Sequence, residues 1–215
     1  ARTGMRTQAS PTQLTLDPLR IVEATFASGA TELSQLAPPT SLEVAFAGRS
    51  NVGKSSLMNA LCGRRNLVKT SSTPGCTRQV SFFDVRTADD VQLTLVDLPG
   101  YGYAKRSKVE RRQWADLIEG YLLERPTLRV VVCLVDVRRG PEADDQDLLE
   151  LLHGPPRTAR PPLAVLSLAT KLDKLPHNQR NLAVSQLHQS MGVELHGVST
   201  ELPATQQKAW RRIRS

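Results

Sequence analysis

Short apolar runs bounded by Gly, Pro and Asp alternate with longer segments of helical period along most of this chain. Runs that are apolar at consecutive positions read as strands buried on both faces, the pattern of a parallel sheet. Such runs lie over 42–47, 128–136 and 163–169, with shorter or more mixed ones over 80–85, 91–97 and 194–198. A further strand is expected over 19–26. Helical spacing predicts helices over 55–62, 107–124, 143–153, 176–190 and 204–213, the first stopped by Gly63. The runs 80–85 and 91–97 are close enough to pair as a hairpin across Thr87-Ala88-Asp89-Asp90. Strands alternating with helices predict an α/β fold, a doubly wound and mostly parallel sheet of about six strands with one antiparallel edge strand. Residues 1–17 are polar and expected as a disordered tail, Ala37-Pro38-Pro39-Thr40 as a linker, and 18–215 as one domain.

The junction between the first core strand and the first helix carries the chemistry. Gly48-Arg49-Ser50-Asn51-Val52-Gly53-Lys54-Ser55 is a complete G-x-x-x-x-G-K-[ST] phosphate loop, and strand, loop and helix is the context that motif requires. Its glycines let the backbone wrap an anion so that successive N–H groups face the phosphates, which also meet a helix N-terminus. Lys54 is placed to reach the outer phosphates, and the Ser55 hydroxyl to ligate Mg²⁺.

Two further segments end apolar runs. Asp97-Leu98-Pro99-Gly100 follows 91–96, where ligands of open α/β sheets bind. Asp97 is expected to hold Mg²⁺ through water, and the Gly100 N–H to face the γ-phosphate. Thr170-Lys171-Leu172-Asp173 follows 163–169. The Asp173 carboxylate offers two adjacent acceptors to the N1–H and exocyclic amine of guanine, a donor pair that adenine lacks. The Lys171 stem can lie along the purine. Alone, T-K-x-D could be a solvated turn, but after a phosphate loop it selects guanine. Thr77, in Thr73-Pro74-Gly75-Cys76-Thr77, supplies a hydroxyl that in switch GTPases closes on Mg²⁺ when the γ-phosphate is present.

These motifs resemble one family. EVAFAGRSNVGKSS over 43–56, TPGCT over 73–77, DLPGYGYAK over 97–105 and TKLDK over 170–174 look like the EngB family, within the Era-like branch of translation-associated GTPases. The resemblance covers about residues 20–213. It implies a P-loop GTPase domain and a monomeric cytoplasmic protein that assists large ribosomal subunit assembly and is needed for normal division and septation. Cys76 stands where the family usually has a basic residue, and Gly197-Val198-Ser199-Thr200 replaces its short Ser-Ala or Ser-Ser turn. The expected GTP contacts are residues 48–55, Gly75, Cys76, Thr77, Arg78, Gln79, residues 97–100, residues 170–173, and Val198, Ser199 and Thr200. Lys54, Asn51, Thr77 and Gly100 are the expected catalytic groups. Mg²⁺ is the expected metal, held by Ser55 and Thr77.

Hydrolysis is expected to be slow. Many GTPases orient the attacking water with a Gln after D-x-x-G, and Tyr101 stands there instead. In related GTPases an Asn at the position of Asn51 binds K⁺; the simpler reading is that Asn51 stabilises a turn. A weakly hydrolysing, GTP-dependent scaffold of the division machinery is the alternative function.

Composition narrows the remaining classes. A chain of 215 residues with 40% hydrophobic content supports a sizeable core, and 4% aromatics make that core aliphatic. Cys62, Cys76 and Cys133 form no C-x-x-C pair, which suits a reducing compartment. The His residues show no zinc spacing. No run approaches the length of a membrane span and no signal-like segment opens the chain, so a soluble, cytoplasmic protein is expected. The net charge of +7 favours a polyanionic partner such as rRNA or GTP/GDP itself. Lys105, Arg106, Lys108, Arg111 and Arg112 crowd the segment after D-x-x-G; Arg64, Arg65 and Lys69, then Arg138 and Arg139, and finally Arg211, Arg212 and Arg214 form further clusters. Each taken singly is an ordinary solvated face.

Overall fold

The computed structural model describes residues 17–69, 79–102 and 108–215, leaving aside the side chains at 108–111 and 114. Seven strands form its sheet: β1 (Ile21–Ala30), β2 (Glu43–Gly48), β3 (Val80–Thr87), β4 (Gln92–Asp97), β5 (Leu128–Asp136), β6 (Ala164–Thr170) and β7 (Leu195–Gly197). The helices are α1 (Lys54–Leu61), α2 (Lys108–Glu124), α3 (Ala143–His153), α4 (His177–Met191) and α5 (Pro203–Arg214). The strand order is β1-β3-β4-β2-β5-β6-β7.

The sheet is mostly parallel, as the runs of consecutive apolar residues predict. β2 pairs in parallel with β4 and β5, β5 with β6, and β6 with β7. Every residue of β2 is buried because it has strands on both sides and helices on both faces. The antiparallel element is β3, which runs against β4 and against β1. The strand expected over 19–26 forms and is longer, so the antiparallel strand lies one place in from the edge and β1 closes the sheet outside it. Phe26 of β1 packs edge-on against Phe83 of β3, with ring centroids 5.7 Å apart, and this contact helps β1 dock.

Period-two alternation divides the core into two layers. Val44 and Phe46 of β2 face a cluster with Leu57 and Met58 of α1 and Trp210 and Ile213 of α5. Ala45 and Ala47 face the other way, where Tyr121 and Leu122 of α2 and Leu148 of α3 fill the space those small residues leave. Each fully buried Leu or Phe contributes about 1.5–3 kcal/mol relative to exposure.

One polar residue in the apolar run has a specific partner. Glu43 accepts from Arg125 Nη2 at 2.7 Å and Nε at 2.9 Å, and from the Tyr121 hydroxyl at 2.8 Å. Arg125 also donates to the Ala37 carbonyl at 2.8 Å, with its guanidinium 5.5 Å from the Phe82 ring centroid. The pair fixes the start of β2 to the end of α2.

Parallel pairing places the carboxyl ends of β2, β4, β5, β6 and β7 at one edge of the sheet, so the loops that follow them gather there. That edge carries the motifs. Among the described residues no helix is long and apolar enough to cross a membrane.

Candidate functional site

The phosphate-loop segment is built by close approach. A Cβ on Gly48 would sit 2.8 Å from Val52 Cγ1 and 3.0 Å from the Leu134 carbonyl oxygen, so only glycine lets the turn close here. Gly53 takes φ 102° at the N-terminus of α1, a conformation open to glycine. Asn51 has φ 65°, a left-handed conformation that Asn tolerates better than most residues, and this backbone demand by itself accounts for Asn at that position.

Each neighbouring loop ties into this segment. Ser50 N–H donates to the Tyr101 carbonyl at 3.0 Å. The Thr170 hydroxyl donates to the Val52 carbonyl at 2.7 Å, and Lys171 Nζ donates to the Asn51 carbonyl. Lys54 and Asp97 touch through ammonium and carboxylate, and both are buried. Ser55 stands beside Lys54 in the first turn of α1. The Gly100 backbone lies against Ser50, where a Cβ would be 3.0 Å from Ser50 Oγ.

Tyr101 is turned away from this centre. Its side chain is buried, and the hydroxyl donates to Asp145 Oδ1 at 2.7 Å. The other carboxylate oxygen accepts the Glu142 N–H at 2.9 Å, closing the capping box that starts α3. Burial, and then the Asp145 charge, push the phenol well above its ordinary pKa, so it remains a donor. Arg49 lies against Gly102 and pairs with Glu142, a second link from this loop to α3.

On the opposite side, Gly53, Leu57, Lys171, Asp173, Ser199 and Thr200 line an open cleft. Asp173 accepts from the Ser199 hydroxyl and pairs with Lys174 at 3.1 Å. Partial burial works to raise its pKa, but the bonds from Ser199 and Lys174 outweigh it and hold the carboxyl below its ordinary value. The first turn of α5 braces the Ser199 loop: Thr205 Oγ1 accepts the Ser199 N–H at 3.0 Å, and Gln206 Nε2 donates to the Ser199 and Thr200 carbonyls at 3.0 and 2.9 Å. Val198 is buried behind it.

Residues 48–55, 97–100, 170–173 and 198–200 thus converge at one end of the sheet. Gln79 is engaged elsewhere: its amide donates to Ser81 Oγ at 3.2 Å and lies against Gly29 of β1. Gly75, Cys76, Thr77 and Arg78, the tail 1–16, and Lys105 and Arg106 fall outside the described residues. The motif pattern missed Asp136, Glu142 and Asp145, all beside this site, and read Arg138 only as part of a basic cluster, whereas it pairs with Asp136 at 2.8 Å. Asp136 carried a readable signal, since it ends an apolar strand just as Asp97 does.

Comparison with known proteins agrees with this geometry. Residues 43–168 match the family described as 50S ribosome-binding GTPase. A probable GTP-binding protein EngB from Desulforapulum autotrophicum is 43% identical over 196 residues, covering 90% of this chain and 96% of that protein. Its counterpart from Geotalea daltonii is 42% identical over 191 residues, 87% of each chain. Among solved structures, Era in complex with MgGDPNP and nucleotides 1506–1542 of 16S ribosomal RNA superposes with a TM-score of 0.63 at 20% identity, over 82% of this chain and 57% of that one. At that identity the likeness shows the fold.

The Tyr101 geometry has a direct consequence for stability. Tyr101→Phe removes one donor from a buried carboxylate and should lower unfolding free energy by about 1–3 kcal/mol. Urea denaturation followed by Trp fluorescence measures it, and an unchanged midpoint would mean the hydroxyl does not hold Asp145.

Proposed function

The chain belongs to the EngB family of GTP-binding proteins, and from that membership we propose that it is a GTP-driven switch acting on the large ribosomal subunit. The observation that carries the nucleotide half is the convergence of the 48–55 loop with an ionised Asp173 held beside the open cleft that Gly53, Lys171 and Ser199 also line. Asp173 reads the guanine edge, Lys171 lies along its face, and the braced 198–200 loop offers a backbone N–H to the guanine oxygen.

The phosphates lie on the N-terminus of α1. Lys54 exchanges its Asp97 partner for phosphate oxygens, so its charge is compensated in both situations. The freed Asp97 carboxylate and the Ser55 hydroxyl next to Lys54 are hard oxygen donors that fit Mg²⁺, with Thr77 as the third protein group. When bound, that ion neutralises charge on the phosphates. Lys54 and the Gly100 N–H stabilise the charge that develops as water attacks in line. Tyr101, committed to Asp145, leaves water orientation to other groups, which supports slow hydrolysis aided by K⁺ at Asn51 or by the partner.

Loss of the γ-phosphate releases Thr77 and Gly100 and frees the basic segment at 101–112 to rearrange, which couples nucleotide state to a phosphate-rich partner. The net charge of +7, the 50S ribosome-binding description of the matching family and the rRNA in the Era complex all support a ribosomal partner. On this reading the protein acts as a cytoplasmic monomer, and a need for it in division and septation follows from ribosome supply. The alternative, a weakly hydrolysing scaffold of the division machinery, draws on the same orientation of Tyr101.

Three measurements test this. Pure protein should sediment with large ribosomal subunits in a non-hydrolysable GTP analogue and be released in GDP; no retention in either state would move the search to the division machinery. Asp173→Asn should shift preference from GTP toward xanthosine triphosphate by about tenfold or more, and a variant that kept full GTP preference would remove the base assignment. Phosphate release over many turnovers should be faster in K⁺ than in Na⁺ at matched ionic strength. Equal rates would discard the Asn51 role, and no turnover at all would favour the scaffold.

A further inference from the structure

Nothing in the motif pattern gives Asp136 or Arg138 a task, yet they form a tight charged cluster beside the base cleft. Strand register sets Asp136, the last residue of β5, opposite Thr170, immediately before Lys171. Arg138 grips the carboxylate from one side, Nε to Oδ1 at 3.0 Å and Nη2 to Oδ2 at 2.8 Å, and its own N–H adds a bond to Oδ1 at 3.0 Å. Lys171 Nζ approaches Oδ2 from the other side at 2.9 Å. The same ammonium donates to the Asn51 carbonyl. The Asp136 side chain is only 7% exposed. Burial works to raise its pKa, but the bonds from Arg138 and Lys171 outweigh that and hold the carboxyl far below the usual range, so it stays ionised.

A free lysine of this length samples many rotamers. Here its ammonium is fixed at two points, and the stem between must run across the edge of the phosphate loop. A Cβ built on Gly53 would lie 3.8 Å from Lys171 Cε, in ordinary contact distance. Lys171 also takes φ 60°, a left-handed backbone that costs energy for a residue with a side chain and persists where surroundings hold it.

We propose that Asp136, held in turn by Arg138, is a positioning residue for Lys171: it stretches the lysine stem across the phosphate loop and so forms the surface on which the purine rests. The cluster joins the two halves of the site, because one ammonium links the base-reading loop to the Asn51 carbonyl. This rests on the guanine-nucleotide reading above. The contact is complete only once the nucleotide is seated, so it governs release rather than capture.

The test is the dissociation rate of N-methylanthraniloyl-GDP from the full chain in stopped flow. Asp136→Asn keeps the shape and removes the charge; release should quicken about tenfold, with the association rate within about twofold of wild type. Lys171→Met should quicken release by a similar factor, and the double variant should add little to either single one. A merely structural role would leave the two effects to multiply, and that outcome overturns the proposal. Arg138→Gln, whose side chain is 41% exposed, should move release in the same direction by less, and with Lys171→Met it completes the same cycle if Asp136→Asn does not fold. Competition with ADP separates the two failures. Wild-type protein that binds ADP as tightly as GDP would sink the guanine reading, whereas a guanine-selective wild type with unchanged release in Asp136→Asn would sink only the positioning role.

Discussion

The contact between the Lys54 ammonium and the Asp97 carboxylate is the constraint on which the rest of this end of the molecule depends. Each charge costs several kcal/mol to take out of water, and removing one partner leaves the other uncompensated. The two residues sit on different elements, Lys54 at the start of α1 and Asp97 at the end of β4. Their pairing therefore holds the phosphate loop and the D-x-x-G segment side by side. It also defines what can enter. An anion that reaches Lys54 competes with Asp97, and an incoming group must then satisfy Asp97 as well, which a phosphate accompanied by a divalent cation does.

The phosphate loop is held from outside by a different neighbour at each of three successive residues. Ser50 donates to Tyr101, the Asn51 carbonyl accepts from Lys171, and the Val52 carbonyl accepts from Thr170. In a planar trans peptide the carbonyl and the following N–H point in opposite directions. Tying the Val52 carbonyl to Thr170 therefore turns the Gly53 N–H away from that strand, toward the side where α1 begins. The loop's anion-facing geometry follows from bonds to β6 and to the D-x-x-G segment as well as from its own glycines.

Local signals were legible in the sequence, and long-range pairings were not. The helices over 107–124, 143–153 and 176–190 follow from apolar spacing, and the observed α2, α3 and α4 agree to within a residue at each end. The strand β1 was harder to read. Its residues are partly exposed along most of its length, and what docks it is the Phe26–Phe83 contact with a strand far along the chain. The role of Glu43 within the apolar run 42–47 is not legible locally, because its partner Arg125 lies 82 residues away. Tyr101 was placed correctly in sequence, but its direction was invisible because Asp145, its acceptor, lies 44 residues on. Asp136 was the legible omission, since a carboxylate ending a buried strand at the carboxyl edge of a parallel sheet was already the argument for Asp97.

The direction of Tyr101 also changes what the D-x-x-G segment can do. A Gln at that position keeps a flexible amide near the reacting water. A buried phenol bonded to Asp145 instead anchors the start of the following segment to α3, and Arg49, lying against Gly102 and paired with Glu142, adds a second tie to the same helix start. Movement of that segment then requires a buried aromatic side chain and a hydrogen bond to a carboxylate to be given up together. Each of these costs on the order of 1–3 kcal/mol, comparable to the coupling free energies by which one site ordinarily influences another. The tie therefore couples the segment after D-x-x-G to the start of α3, where Asp145 and residues 49–52 line one hollow beside the phosphate loop.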